Sequence, residues 1–313
     1  MKSMHMEHKN SITEIRTHDS NAMSDQYLLS NLLALAGAVC FGLAPVVTFV
    51  GLRSTHSLAG GTISVTFTVL LWLALSPLLG DFSGWDIRAL LVFALVGLFY
   101  PGVVMVLSYE SNRLLGPTLT GAAASTAPLF AATAAIMFLG EHLAVQQVIG
   151  GAVTVTGLVL LALRAPPMGK TPGWSLTLPI TGAFLRGIAQ MFAKLGLSFW
   201  PSPFMAAFIG YAVSTVVLWG VRWRMAQPKQ PAINLEIGWF AAAGLLNGSA
   251  VLLTYHALHL GQVGVVSTIV ATYPVFTVSF SALFLQAEKL SGRAALSVGI
   301  VIAGVVTAVS AQS

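Results

Sequence analysis

The sequence predicts an all-α, polytopic membrane protein with about ten transmembrane helices in two inverted-topology five-helix repeats. Three observations carry this reading. Of the 313 residues, 56% are hydrophobic and only 8% charged, with a mean hydropathy of +0.83. A soluble domain carries roughly 25% charged residues, so a chain this apolar needs lipid around it. Roughly ten runs approach the ~20 mostly apolar residues that cross a bilayer. Finally, one pattern is written twice. Ser125-Thr126-Ala127-Pro128-Leu129-Phe130 leads through an apolar helix to Phe138-Leu139-Gly140-Glu141-His142-Leu143. Ala271-Thr272-Tyr273-Pro274-Val275-Phe276 leads through another to Phe284-Leu285-Gln286-Ala287-Glu288-Lys289-Leu290. Many secondary transporters are doubled hydrophobic bundles of this kind, with the substrate site between the halves.

Residues 1–26 are polar, lack the apolar core and cleavage site of a signal peptide, and read as a disordered tail in which Met23 is a second candidate start. The tail's Met4-His5-Met6-Glu7-His8 has metal-binding residue types but reads as solvated chain. The first repeat, 27–164, contains apolar runs near 27–50, 58–79, 89–108, 115–139 and 145–163. A linker over 165–173, rich in proline and glycine, breaks helix and marks the boundary. The second repeat, 174–313, contains runs near 174–199, 204–221, 237–259, 263–286 and 294–310. An odd number of spans in each half starts the second half from the opposite side of the membrane, which makes the repeats antiparallel. Small residues such as Gly150, Gly157, Gly299 and Gly304 let helices approach closely in lipid.

Composition also excludes functions. The net charge of +5 reflects sparse acids, and no Lys/Arg cluster suggests nucleic acid. Cys40 is alone, so there is no intrachain disulfide and no cysteine metal site. The loops leave no room for a soluble catalytic domain. There is no Gly-x-Ser-x-Gly elbow, no His-Glu-x-x-His and no Walker-type loop, so neither enzymatic activity, nor a cofactor, nor direct drive by ATP is expected.

The two copies of Pro-Leu/Val-Phe followed by Phe-Leu-x(x)-Glu resemble the EamA-like branch of the drug/metabolite transporter superfamily. Tyr255-His256-Ala257-Leu258 looks like that family's Tyr-x-Ala-Leu, and Tyr109 sits at the matching place in the first repeat. Gly42 and Gly187 hold the place of the glycine in the family's Trp-Gly pair, and Lys194 falls where the family often has a lysine. The resemblance spans 27–310 and implies a ten-helix permease with an internal inverted repeat and a central cavity. Relatives move amino acids, metabolites, nucleotide sugars or drugs. Two departures stand out. Phe41 and Arg186 replace the tryptophan, and an extra residue before Glu288 turns it ~100° around a continuing helix relative to Glu141.

Arg186 is the sharpest chemical signal. It lies near the middle of the sixth span, where a charge is costly and normally faces protein or a water-filled cavity. Arg186, Gln190 and Lys194 recur at i, i+4, i+8 and share a helical face. That stripe is a candidate substrate-binding surface for an anionic or zwitterionic group, since a guanidinium offers a planar fork of donors. Asn247 and Tyr255 form a second candidate polar face on the eighth span. Glu110 is a weaker candidate for carrying a coupled proton, competing with a role as an interfacial partner of Arg113. No metal site is expected.

These readings converge on a secondary transporter working by alternating access on a small anionic or zwitterionic metabolite, such as an amino acid or organic acid. A proton-coupled exporter of drugs or lipophilic cations and an intramembrane enzyme acting on lipid-linked substrates are the alternatives. The expected partners are a small-molecule substrate and the lipid bilayer of a bacterial inner membrane, with a second copy of the chain as a further candidate. On orientation two signals oppose each other. The resemblance implies cytoplasmic termini, whereas Arg53, Arg113, Arg164, Lys170, Arg222, Arg224, Lys229, Lys289 and Arg293 would then all lie outside, against the positive-inside rule.

Overall fold

The computed structural model describes residues 2–52, 55–162, 173–225, 235–284 and 292–311. Glu288 and the linker over 165–172 lie outside the described residues. Among those described there is no strand. The first half comprises α1 (Lys2–Gly51), α2 (Ser57–Leu79), α3 (Ile87–Gly97), α4 (Gly102–Ala124), α5 (Ala127–Ala134) with a π-helical extension Ala135–Leu139, and α6 (Val145–Ala162). After a 3₁₀ turn at Gly173–Leu176, the second half comprises α7 (Thr177–Phe199), α8 (Pro203–Arg224), α9 (Leu235–Leu260), α10 (Val263–Val270), α11 (Tyr273–Phe284) and α12 (Gly292–Ser310).

Six helical stretches among the described residues are long and apolar enough to cross a membrane, and Val145–Leu161 and Leu296–Ser310 are shorter apolar helices. Helix α7 is not one of the six although it has 23 residues, because Arg186, Gln190 and Lys194 lower its hydropathy.

Several expectations are corrected. The backbone preceding residue 27 is helical and continues α1, where a disordered tail was expected. No glycine or proline occurs before Gly37, so nothing in the backbone chemistry stops the helix propagating toward the N-terminus. The runs at 115–139 and 263–286 are not single helices. Each is interrupted directly before its proline, at Ser125-Thr126 and at Ala271-Thr272. At the start of the fourth run the chain turns at Gly116, with φ 78° and ψ 168°, just before Pro117. That left-handed φ favours glycine, and the following proline bars the preceding residue from helical geometry. Among the described residues Pro45, Pro77 and Pro117 lie inside helices α1, α2 and α4. Pro128, Pro179 and Pro274 sit in first turns, where a missing N–H costs little, and Pro101 precedes α4.

The halves pack reciprocally. Helix α1 lies against α9 and α11, and its counterpart α7 lies against α3, α4 and α5. Helix α2 meets α8, and α6 meets α12. Reciprocal contacts of this kind are what a two-fold relation produces. The main core fills the space among α1–α4 and α7–α10, while α6 and α12 share a smaller cluster of Leu158, Val301 and Ala271.

Glycines set the closest crossings. A Cβ at Gly42 would stand 2.8 Å from Tyr273 O on α11, and one at Gly187 would stand 2.8 Å from Ala131 N and 2.9 Å from Ala127 O on α5. The two glycines occupy equivalent places in the repeats, so the same backbone-to-backbone approach occurs on both sides of the axis. Gly42→Val and Gly187→Val should each destabilise the fold by about 1–3 kcal/mol through overpacking, read as a lower melting temperature in detergent. Gly220→Ala, where an added Cβ meets nothing within 4 Å, should not lower it.

Candidate functional site

The site is built around the two helix breaks. Proline has no N–H, so Pro128 leaves Ala124 O and Pro274 leaves Val270 O without a helical donor. In lipid each polar backbone group needs a partner, and hydroxyls beside both breaks bond other carbonyls of the same turns. Ser125 Oγ donates to Gly121 O at 2.8 Å, Thr126 Oγ1 to Ala123 O at 3.1 Å, and Thr272 Oγ1 to Ile269 O at 2.7 Å. The breaks also touch one another. Ser125 Oγ lies 3.2 Å from Ala271 O, and Tyr273 Oη donates to Gly121 O at 3.1 Å. The doubled motif therefore meets itself at the centre of the molecule.

A cavity opens beside this junction, walled by both halves. Phe41, Pro45 and Thr48 come from α1, and Tyr100, Tyr109, Asn112 and Gly121 from the end of α3 and from α4. Across from them stand Arg186 of α7, Tyr211 of α8, Asn247 and Val251 of α9, and Tyr273 of α11. Arg186 precedes Gly187 as Phe41 precedes Gly42, so the two occupy equivalent repeat positions and meet near the axis. The guanidinium carbon of Arg186 sits 5.1 Å from the Phe41 ring centre and 5.6 Å from that of Tyr273. Cation–π attraction orients the group without neutralising it.

Other polar groups in the wall are engaged to different degrees. Tyr109 Oη is 2.8 Å from Ser64 Oγ, which itself donates to Phe240 O at 2.7 Å, so the tyrosine supplies the proton of the first bond. Asn112 Nδ2 donates to Pro45 O at 2.9 Å, tying α4 to α1. Its Oδ1 has no protein partner, nor have Tyr211 Oη and Arg186 Nε, and all three atoms are buried. Unpaired buried polar atoms are rare in folded proteins, and a ligand or water in the cavity can complete their bonding.

The structure brings Arg186 and Asn247 together on this cavity. Gln190 and Tyr255 are both about 3% exposed and lie in the packed interior, outside the cavity wall. Lys194 is elsewhere: its Nζ donates to Leu258 O at 2.6 Å and Gly261 O at 2.7 Å, at the C-terminus of α9. The stripe divides for a geometric reason. Eight residues rise ~12 Å and rotate ~80° around an α-helix, so Arg186 and Lys194 address different depths and directions. Glu110 is paired with the Arg113 guanidinium and accepts from Ser57 Oγ at 2.7 Å, away from the cavity. Glu141 Oε1 accepts from Val263 N at 3.0 Å at the start of α10. The positive Lys194 at a helix C-terminus and the negative Glu141 at a helix N-terminus both match the helix dipole.

Sequence reasoning singled out neither Tyr100, Tyr211 and Tyr273 nor Asn112 as site residues. A signal was available. The chain has only 6 tyrosines, and Tyr100, Tyr109, Tyr211 and Tyr273 all line this one cavity. Hydroxyls scattered singly through membrane-length apolar runs deserve the same reading that an intramembrane arginine receives.

The sequence model of the EamA-like transporter family matches residues 28–163 and 173–310, one match per half. No curated protein matches the chain. A solved crystal structure, described only as that of a protein, superposes with a TM-score of 0.70 at 18% identity, covering 91% of this chain and 96% of the other. That likeness concerns the fold alone.

The Lys194 geometry yields a prediction separate from the cavity. Lys194→Met should destabilise the protein by about 1.5–3 kcal/mol, the usual range for bonds to a charged group. Thermal unfolding in detergent reads this, and Lys194→Arg should retain part of the lost stability.

Proposed function

The chain belongs to the EamA-like transporter family, and we propose that it is a secondary transporter that moves a small anionic or zwitterionic metabolite across a bacterial inner membrane by alternating access. It is an integral, multi-pass membrane protein. In this reading it crosses the bilayer ten times as two inverted five-helix repeats, counting α3 with the first part of α4 as one span and each broken pair as one span. The halves rock about the junction of the two breaks, and the substrate sits in the cavity they share. No step of this process requires enzymatic chemistry.

One observation carries the substrate class. Arg186 lies in the middle of a membrane-length helix and faces a cavity with no carboxylate among its described walls. An intramembrane cation without an anionic partner is expensive, and a substrate carboxylate or phosphate would supply that partner. The exporter of lipophilic cations gains no support from the site. Such a substrate would meet Arg186 as a like charge, and Glu110 is held by Arg113 and Ser57.

The test is flux into proteoliposomes containing the purified full-length chain. Saturable uptake and counterflow of an anionic or zwitterionic compound are expected. Arg186→Ala should lower that flux about tenfold or more, matching the ~1.5–3 kcal/mol of a charge-assisted bond, and Arg186→Lys should restore part of it. Normal flux in both variants would overturn the role of Arg186. Flux that never saturates would overturn the carrier reading.

A further inference from the structure

The charge balance of the cavity narrows the ligand further, resting on the transporter reading above. Among the described residues Arg186 is the single formal charge in the wall. Two carboxylates that the structure describes, Glu110 and Glu141, are bound elsewhere. A ligand of net charge −1 brings the site to neutrality. A zwitterion leaves it at +1, because its ammonium finds no carboxylate. A dianion places a second negative charge where no second cation stands. In a low-dielectric site both residual charges are penalised, so the monoanion is preferred.

The unpaired atoms add a second constraint. Asn112 is 2% exposed, and the bond from its Nδ2 to Pro45 O fixes the amide orientation, which leaves Oδ1 as an acceptor. Its partner must therefore donate a hydrogen bond, and a neutral hydroxyl or N–H does so without adding charge. The rings of Phe41, Tyr100, Tyr211 and Tyr273 supply the third constraint. Aromatic walls favour a flat or apolar body, through offset and edge-to-face contacts.

We propose that the cavity selects a monocarboxylate with an aryl or apolar body and one neutral hydrogen-bond donor, over zwitterionic amino acids and over dianions. The carboxylate meets Arg186, the donor meets Asn112 Oδ1, and the body lies among the rings.

The experiment measures counterflow in proteoliposomes of the full chain, with 4-hydroxybenzoate, benzoate, phenylalanine, succinate and inorganic phosphate as probes. The expected half-saturating concentration for 4-hydroxybenzoate is about tenfold or more below those for phenylalanine, succinate and phosphate. Benzoate, lacking the donor, should fall between. Asn247→Asp places a carboxylate in the same wall without disturbing the Asn112 bond, and should shift the preference from 4-hydroxybenzoate toward phenylalanine by about tenfold. Phenylalanine, succinate or phosphate saturating at the lowest concentration in the unmodified protein would overturn the ligand assignment while leaving the transporter reading standing. So would an unchanged ranking in a folded, active Asn247→Asp protein. Absence of saturable flux for every anion and zwitterion would overturn both.

Discussion

The structure depends on a requirement that lipid imposes and water does not: a carbonyl released from a helix ladder must find a donor inside the protein. Pro128 and Pro274 release such carbonyls at equivalent places in the two halves. Local hydroxyls bond neighbouring carbonyls, those of Gly121, Ala123 and Ile269, and the breaks are also set against each other, with Ser125 Oγ 3.2 Å from Ala271 O and Tyr273 Oη donating to Gly121 O. Once these contacts are made, the first helix of each half must cross the broken helix of the other closely, and Gly42 and Gly187 allow it. A cavity beside the junction follows, because two interrupted helices cannot fill the space that two continuous ones would.

Symmetry explains the scaffold and its violation explains the chemistry. Where the repeats agree, as at Gly42 and Gly187 or Pro128 and Pro274, the residues serve packing and backbone satisfaction. At two places where they differ, a charge and a hydroxyl enter the cavity. Phe41 answers to Arg186, and Ala127 of the first motif answers to Tyr273 of the second. The three residues Phe41, Arg186 and Tyr273 lie against one another, so the two departures from repeat identity meet at one place. A ligand bound there meets one cation and no matching second one.

Much of this was legible in the sequence. The doubled motif, the membrane-length runs and the linker composition were enough to read a two-repeat membrane bundle, and the cost of an intramembrane charge picked out Arg186. What was not legible depends on long-range geometry. Gln190 and Lys194 share a helical face with Arg186, yet a stripe spaced by four residues drifts around the helix, and Lys194 ends on the carbonyls of α9. The breaks at Ser125-Thr126 and Ala271-Thr272 were hidden because apolar runs look alike whether or not the helix is continuous. Asn112 was hidden because its role depends on Pro45, 67 positions away.

The contacts between halves also bear on how such a bundle can move. Ser30 Oγ bonds Ala257 O at 2.9 Å, Glu141 Oε1 accepts from Val263 N at 3.0 Å, and Gln147 Nε2 donates to Gln262 Oε1 at 2.9 Å. Each joins the first half to the second, and all three converge on the junction of α9 and α10. In the cycle proposed above, rocking exchanges these bonds for others. Neutral bonds contribute about 0.5–1.5 kcal/mol each and a bond to a charged group about 1.5–3, so their combined loss is a few kcal/mol. A loss of that size is one that the bonds formed in the other state can offset. Contacts much stronger than these would lock the bundle in one state, and a purely apolar seam would let the halves slide without fixing either end state. In that cycle, polar bonds of moderate strength at the junction of α9 and α10 would hold each end state and leave a passable barrier between them.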